Sequence, residues 1–175
     1  TIEELVAAAK EKGNLKASTN GNKASNHTAA QLLAKSAGFK YKAIPYGGTA
    51  DQLLALRQGE VDFTCAKVAD VAKLVKGDKP ELRVLAVFNT KRDPELPNVP
   101  TLGEKGLYPE WYGSARALVA PKGTKPEVIQ YYVEAFKKTM QDPAVIEAHK
   151  KAGMALDFKD NKELGDLIKA QDKFA

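Results

Sequence analysis

Two short polar segments carry the residue types that can hold an anion. The first is Thr19-Asn20-Gly21-Asn22-Lys23-Ala24-Ser25-Asn26-His27 and the second is Pro45-Tyr46-Gly47-Gly48-Thr49. In each, glycine lets the backbone approach a ligand closely, Ser or Thr adds a hydroxyl donor, and a helical pattern follows at once. Free amides at a helix start, with the helix dipole behind them, favour negative charge. A hydrogen bond to a charged group contributes roughly 1.5–3 kcal/mol, and the dipole about 0.3–1 kcal/mol. Three or four such bonds approach the ~8 kcal/mol of micromolar binding before ordering costs are subtracted. The plainer alternative is that both segments are ordinary turns.

Other chemistry is short of parts. The chain has one cysteine, Cys65, and two histidines, His27 and His149. A disulfide scaffold is excluded and a Cys/His zinc cage is not supported, so neither a metal nor a cofactor is expected. The sequence carries no Walker loop, GxSxG elbow, HExxH or CxxC. Nucleophilic catalysis needs a base within reach of the nucleophile, and no such pair is evident, so no catalytic residue is assigned. His27 reads as a partner ordering its loop or as a ligand contact, and Tyr46 as a ligand-facing wall or as packing. Asp62 reads as a structural cap or ion-pair partner, Cys65 as a small hydrophobe, and His149 as helix surface.

The elements that must carry these segments alternate. Thr1 to Lys12 has a capping threonine, Glu3 and Glu4 in the first turn, and Leu5, Ala8 and Ala9 on one face. Leu15–Thr19 is strand-like. Ala29, Leu32, Leu33 and Ala37 follow at helical spacing, with Gly38 as the stop. Tyr41–Ile44 predicts a second strand. A capping box, Thr49-x-x-Gln52, opens a helix whose apolar side is Leu53, Leu54 and Leu56, ended by Gly59. Val61, Phe63 and Cys65 alternate as a strand, residues 67–76 read as a helix, and Leu82–Phe88 reads as a strand covered on both faces. This alternation predicts an α/β fold with a mostly parallel sheet flanked by helices.

The character changes at Asn89–Tyr112, where Pro94, Pro97, Pro100 and Pro109 impose a stiff excursion, with Trp111 and Tyr112 expected to cover the sheet. A strand is expected to return at Ser114–Ala120. Beyond it come a box at Thr124-x-x-Glu127, a stripe of Ile129, Val133, Phe136 and Met140, and a start at Asp142-Pro143. A stop at Gly153, a short strand at Leu156–Phe158 and a last helix opened by Asp160-x-x-Glu163 complete the pattern. A boundary near residues 118–123 divides a first domain, 1–118, from a helical segment, 119–175.

Composition narrows the classes. The 175 residues carry a net charge of +5, with 43% hydrophobic and 28% charged residues, ordinary values for a folded domain. The lysines of the first fifty residues are dispersed, not arrayed in a stripe with aromatics, so no nucleic-acid partner is expected. No run approaches the ~18 apolar residues of a membrane span, so no direct membrane insertion is expected.

Several stretches together resemble one family. They are Ala17 to His27, Ile44 to Ala50, Gln58 to Phe63, Leu85 to Arg92, Leu96-Pro97-Asn98-Val99-Pro100-Thr101 continuing to Leu107, and Ala120 to Thr124. Their order and spacing resemble the extracytoplasmic solute-binding receptors of tripartite tricarboxylate transporters, the Bug or TctC-like proteins. The resemblance implies a periplasmic-binding-protein type II-like fold of two α/β lobes closing on a small carboxylate, without catalysis. It makes 1–118 the second lobe and 119–175 the helices returning to the other lobe, and it implies a periplasmic location, a membrane transporter as partner, and a fragment lacking the opening of the first lobe. A missing N-terminal lobe or a second copy of the chain would pack on 119–175. The site residues it implies are Thr19, Asn20, Gly21, Lys23, Ser25, His27, Tyr46, Gly48 and Thr49. Lys23 stands where the family commonly has glycine and Ala24 where serine is common, while Gly47 replaces a lysine and Thr49 a glycine. Two other readings are carried: a ligand-sensing domain of a transcription regulator, and a small α/β enzyme using His27 with Tyr46 or Ser25.

Overall fold

The computed structural model describes residues 1–76, 79–152, 154 and 156–172. The chain divides into two compact units, Thr1–Ser114 and Ala115–Ala175.

In the first unit, helix α1 (Ile2–Lys12) starts on a capping box: Thr1 Oγ1 accepts from the Glu4 N–H while the Glu4 side chain reaches back to residue 1. It stops at Gly13, whose φ of 66° is a left-handed conformation suited to glycine. Strand β1 (Lys16–Thr19) leads to helix α2 (Ser25–Ala37), then β2 (Lys42–Pro45), helix α3 (Thr49–Arg57), β3 (Phe63–Thr64) and a single turn, α4 (Val68–Val71). The three strands form a parallel sheet in the order β2-β1-β3. Ala30, Leu33, Ala34 and Ala37 of α2 are buried in a core with Ile2, Ala17, Phe63, Leu102 and Tyr108. Phe39, Tyr41 and Phe63 meet edge to face, with centroids 5.6–6.5 Å apart, a geometry their ring quadrupoles favour. The expected β-α alternation is therefore present.

Several expected elements take another form. Thr49 and Gln52 form no capping box: Gly48 is the N-cap of α3, and Gln52 is buried with its side chain spent elsewhere. Leu54 is exposed, and Ala55 takes the inward position beside Leu53. The helix expected over 67–76 is one turn. Its valines lose side-chain freedom in a helix, and the Leu74 carbonyl accepts from the N–H groups of Glu81 and Leu82, outside any helix. Among the described residues Leu82–Phe88 makes one bridge, Val87 with Thr101. The Val87 N–H donates to the Pro100 carbonyl and the Leu102 N–H to the Val87 carbonyl. Pro100 has no N–H to extend that ladder. Tyr112 packs against the core, whereas Trp111 folds onto its own segment instead of a strand. Tyr112 meets Phe88 at 6.1 Å, and the indole lies over Gly113, where a Cβ would come within 2.8 Å.

The second unit holds α5 (Pro126–Met140), α6 (Pro143–Lys151) and α7 (Asn161–Asp172). Asp142 caps α6 through the Ala144 N–H at 2.7 Å, with Pro143 in the first turn. Asp160 and Glu163 form a reciprocal box at α7, with bonds of 2.8 and 3.0 Å. The expected box at Thr124 and Glu127 is absent. Lys125 is the N-cap without a side-chain bond, because Thr124 Oγ1 donates to the Pro121 carbonyl at 2.8 Å. Ser114–Ala120 and Leu156–Phe158 contain no strand among the described residues, and Leu118 and Val119 stand exposed with no ladder to join. The expected stop at Gly153 lies outside the described residues. None of the described residues of α5, α6 or α7 is buried.

Candidate functional site

The register of the sheet brings the two polar segments together. Thr19 of β1 pairs with Pro45 of β2, and the Tyr46 N–H donates to the Thr19 carbonyl at 2.9 Å. Both segments therefore leave the same carboxyl edge of a parallel sheet, the place where open α/β sheets collect ligands.

The first loop is ordered from within. Thr19 is fully buried, and its hydroxyl donates to the Gly21 carbonyl at 3.4 Å. Asn20 Oδ1 accepts from the Asn26 N–H at 3.3 Å, so it occupies one of the free amides at the start of α2. Gly21 has a φ of 121° and Lys23 one of 58°. The left-handed conformation of Lys23 is one that glycine adopts without strain. The exposed Lys23 places its N–H 2.9 Å from His27 Nδ1. His27 accepts there, so a neutral ring carries its proton on Nε2, and the loop-ordering reading of His27 is the one the hydrogen bond matches. Ser25 opens α2 and is half-buried.

The second loop is more open. Gly48 is extended, and no side chain caps α3, so Thr49 and the amides behind it face no cap. Tyr46 turns its hydroxyl to Glu60 Oε2 at 3.1 Å. Partial burial and the Glu60 carboxylate push its phenol above the usual range. One group escaped the sequence reading: Asp51, whose Oδ2 would lie 3.5 Å from a Cβ added at Gly47. This carboxylate sits in the first turn of α3, where it takes up some of the dipole that an anion would use. An acidic residue three positions after the N-cap was the available signal.

A cavity of about 590 Å³ opens on the other flank of the sheet, lined by Phe63–Lys67 on one side and Glu81–Asn89 on the other. Of the expected site residues it touches Ser25 alone, and with Asn26 this is all of the two segments that lines it. Among the described residues no group of three or more His, Cys, Asp or Glu could hold a metal. No helix of the described residues is long and apolar enough to cross a membrane.

Comparison with known proteins fixes the relationship. The family model described as tripartite tricarboxylate transporter family receptor, TctC, matches residues 1–174. The chain belongs to the TctC receptor family. A UPF0065 protein of Cupriavidus necator is 36% identical over 82% of this chain and 43% of its own length. A TctC solute-binding protein from Polaromonas, solved without ligand, superposes with a TM-score of 0.87 at 28% identity, over 99% of this chain and 59% of that one. The periplasmic binding protein BugD gives a TM-score of 0.76 at 27% identity, over 99% and 58%. The chain thus spans about half the length of the relatives it matches. TctC receptors bind solutes and are not enzymes, and the enzyme alternative falls with that membership.

Proposed function

We propose that this chain contributes a carboxylate-binding lobe to an extracytoplasmic receptor that delivers a small organic acid to a tripartite tricarboxylate transporter. The observation that carries the reading is the pairing of Thr19 with Pro45, which sets two glycine-containing loops and two helix starts side by side. The description of the matching family supports a carboxylate as the ligand and a transporter as the partner. BugD is named a periplasmic protein, which supports the same compartment here.

In this reading residues 1–118 form the ligand-binding lobe. Gly48, Thr49 and Ala50 offer amides at the uncapped start of α3. Gly21 and Ser25 offer further donors, and Lys23 supplies a positive charge. Thr19, Asn20, His27 and Tyr46 act mainly by holding the loops. Residues 119–175 pack on another lobe or on a second copy of the chain. Closure adds contacts absent from the open state, and only such contacts drive it.

Isothermal titration of the chain with citrate, malate and adipate tests the proposal. At least one should bind, and Lys23→Gly should weaken it by about two- to fivefold, the effect of one exposed charge. That substitution also relieves the left-handed backbone, so the fold should stay intact. An absence of binding to all three at ten millimolar sinks the proposal.

A further inference from the structure

Four of the five buried polar residues among those described, Ser18, Thr19, Asn26 and Gln52, lie at the carboxyl edge of the sheet. Gln52 is closed to solvent, at 0% exposure. Its side-chain nitrogen donates to the carbonyls of Ser18 at 3.2 Å and Cys65 at 2.7 Å, and it also meets the Thr64 hydroxyl. Its side-chain oxygen accepts from Asn26 Nδ2 at 2.9 Å. Its backbone carbonyl accepts from Ser18 Oγ at 3.0 Å. Backbone carbonyls only accept, so the amide nitrogen must face Ser18 and Cys65 and the oxygen must face Asn26. The Thr64 hydroxyl donates to the Ser18 carbonyl at 3.0 Å, so the two protons of the Gln52 amide are shared among three acceptors, Ser18, Cys65 and Thr64.

One side chain therefore ties together β1, the end of β3, α2 and α3. Asn26, its partner, is the second residue of α2, and its backbone N–H is held by Asn20 of the first loop. A run of bonds leads from the first turn of α3 to the loop before α2. Apolar residues could fill this space without needing partners. A fully satisfied amide network instead permits one arrangement of its elements, where an apolar contact permits several.

We infer that Gln52 is the positioning residue of this site: it fixes the separation of the α2 and α3 starts and, through Asn26, the course of the loop over residues 20–24. The inference rests on the carboxylate reading for its ligand but not for its geometry. Gln52 touches no ligand and acts only through the elements it joins.

The experiment replaces Gln52 by Met, which keeps length and volume but offers no amide, and follows two readouts. In ¹⁵N NMR spectra without ligand, the backbone signals of Lys23 and Asn26, held by His27 and Asn20, should shift and broaden. The Kd for whichever of citrate, malate and adipate the unaltered chain binds should rise about tenfold, the loss of one well-placed hydrogen bond. Both are measured where circular dichroism shows the two chains fully folded. A merely structural Gln52 would lower the unfolding midpoint while both signals and the Kd stay in place, and that result overturns the inference. If Gln52→Met does not fold, Asn26→Ser cuts the same link from the α2 side and spares the bonds to Ser18 and Cys65. If the unaltered chain binds none of the three acids, the carboxylate reading fails. The two loop signals then decide by themselves whether Gln52 sets the loop.

Discussion

Helix α2 buries its stripe of Ala29, Leu32, Leu33 and Ala37 in the first unit, whereas α5 in the second leaves Ile129, Val133 and Met140 of its stripe only half-buried and Phe136 46% exposed. Both stripes are written in the sequence with the same helical spacing. The difference is in what lies opposite. The parallel sheet, α1 and the Leu102–Tyr108 turn offer α2 an apolar surface, while no described residue of α5 to α7 is buried. Periodicity states which face requires cover and says nothing of whether cover is there. In the first unit the burial that holds the sheet also holds the loops. The second unit carries the kind of exposed apolar face that marks an interaction surface.

The sharpest way to break this comparison is a matched pair of truncations. Phe39 is buried and packs on two other rings, so Phe39→Ala should cost about 3–5 kcal/mol. Phe136 is 46% exposed, and Phe136→Ala should cost less than about 0.5 kcal/mol. Urea unfolding of the two variants measures both. Equal losses would mean that Phe136 is covered in solution and that the two units do not differ as described.

A second test separates the units by pH. Burial pushes the Cys65 thiol up to about 12, and the Tyr41 phenol is likewise pushed up to about 12 by burial and by the neighbouring thiol. Both groups keep their protons to higher pH in the folded chain than in the unfolded one. Their contribution is whole only well below about pH 8.5, the usual pKa at which the unfolded thiol is half ionised. It is lost as the pH rises toward 12. Cys65 alone should give a slope approaching 1.4 kcal/mol per pH unit, by about the linkage relation for one proton. Urea midpoints from pH 8 to 11 should fall, and Cys65→Ala should flatten the fall. An unchanged slope in that variant would show that the half-buried thiol just past β3 does not keep its proton in the folded chain.

The same contrast explains how much was legible. The strand and helix order of the first unit, the glycine stops at Gly13 and Gly38, and the placing of both loops at one sheet edge follow from local patterns that the core reinforces. Two kinds of feature were not legible. Gln52 reads locally as the far end of a capping box, and only its burial beside Ser18, Asn26 and Cys65 gives it another use. Leu82–Phe88 reads as a central strand by composition, yet pairing depends on a neighbour, and Pro100 limits the neighbour it has. Both errors arise where a partner distant in sequence decides what a local motif does.

Capping boxes give the finest test of that lesson, because each unit has one that forms and one that does not. Thr1 in the first unit and Asp160 in the second accept bonds from backbone amides of the helix they precede. Thr49 and Thr124 show the same four-residue pattern and cap nothing. Thr1→Ala should therefore cost about 1 kcal/mol in urea, and Thr49→Ala less than about 0.5 kcal/mol. In the second unit the readout is hydrogen exchange. Asp160→Ala should speed the Lys162 and Glu163 amides about fivefold, the equivalent of one lost cap. Thr124→Ala should leave the first turn of α5 unchanged. Equal losses at all four positions would mean that the motif governs the helix start wherever it occurs. Losses at Thr1 and Asp160 alone would mean that a local signal acts only where tertiary structure leaves the side chain free to answer it.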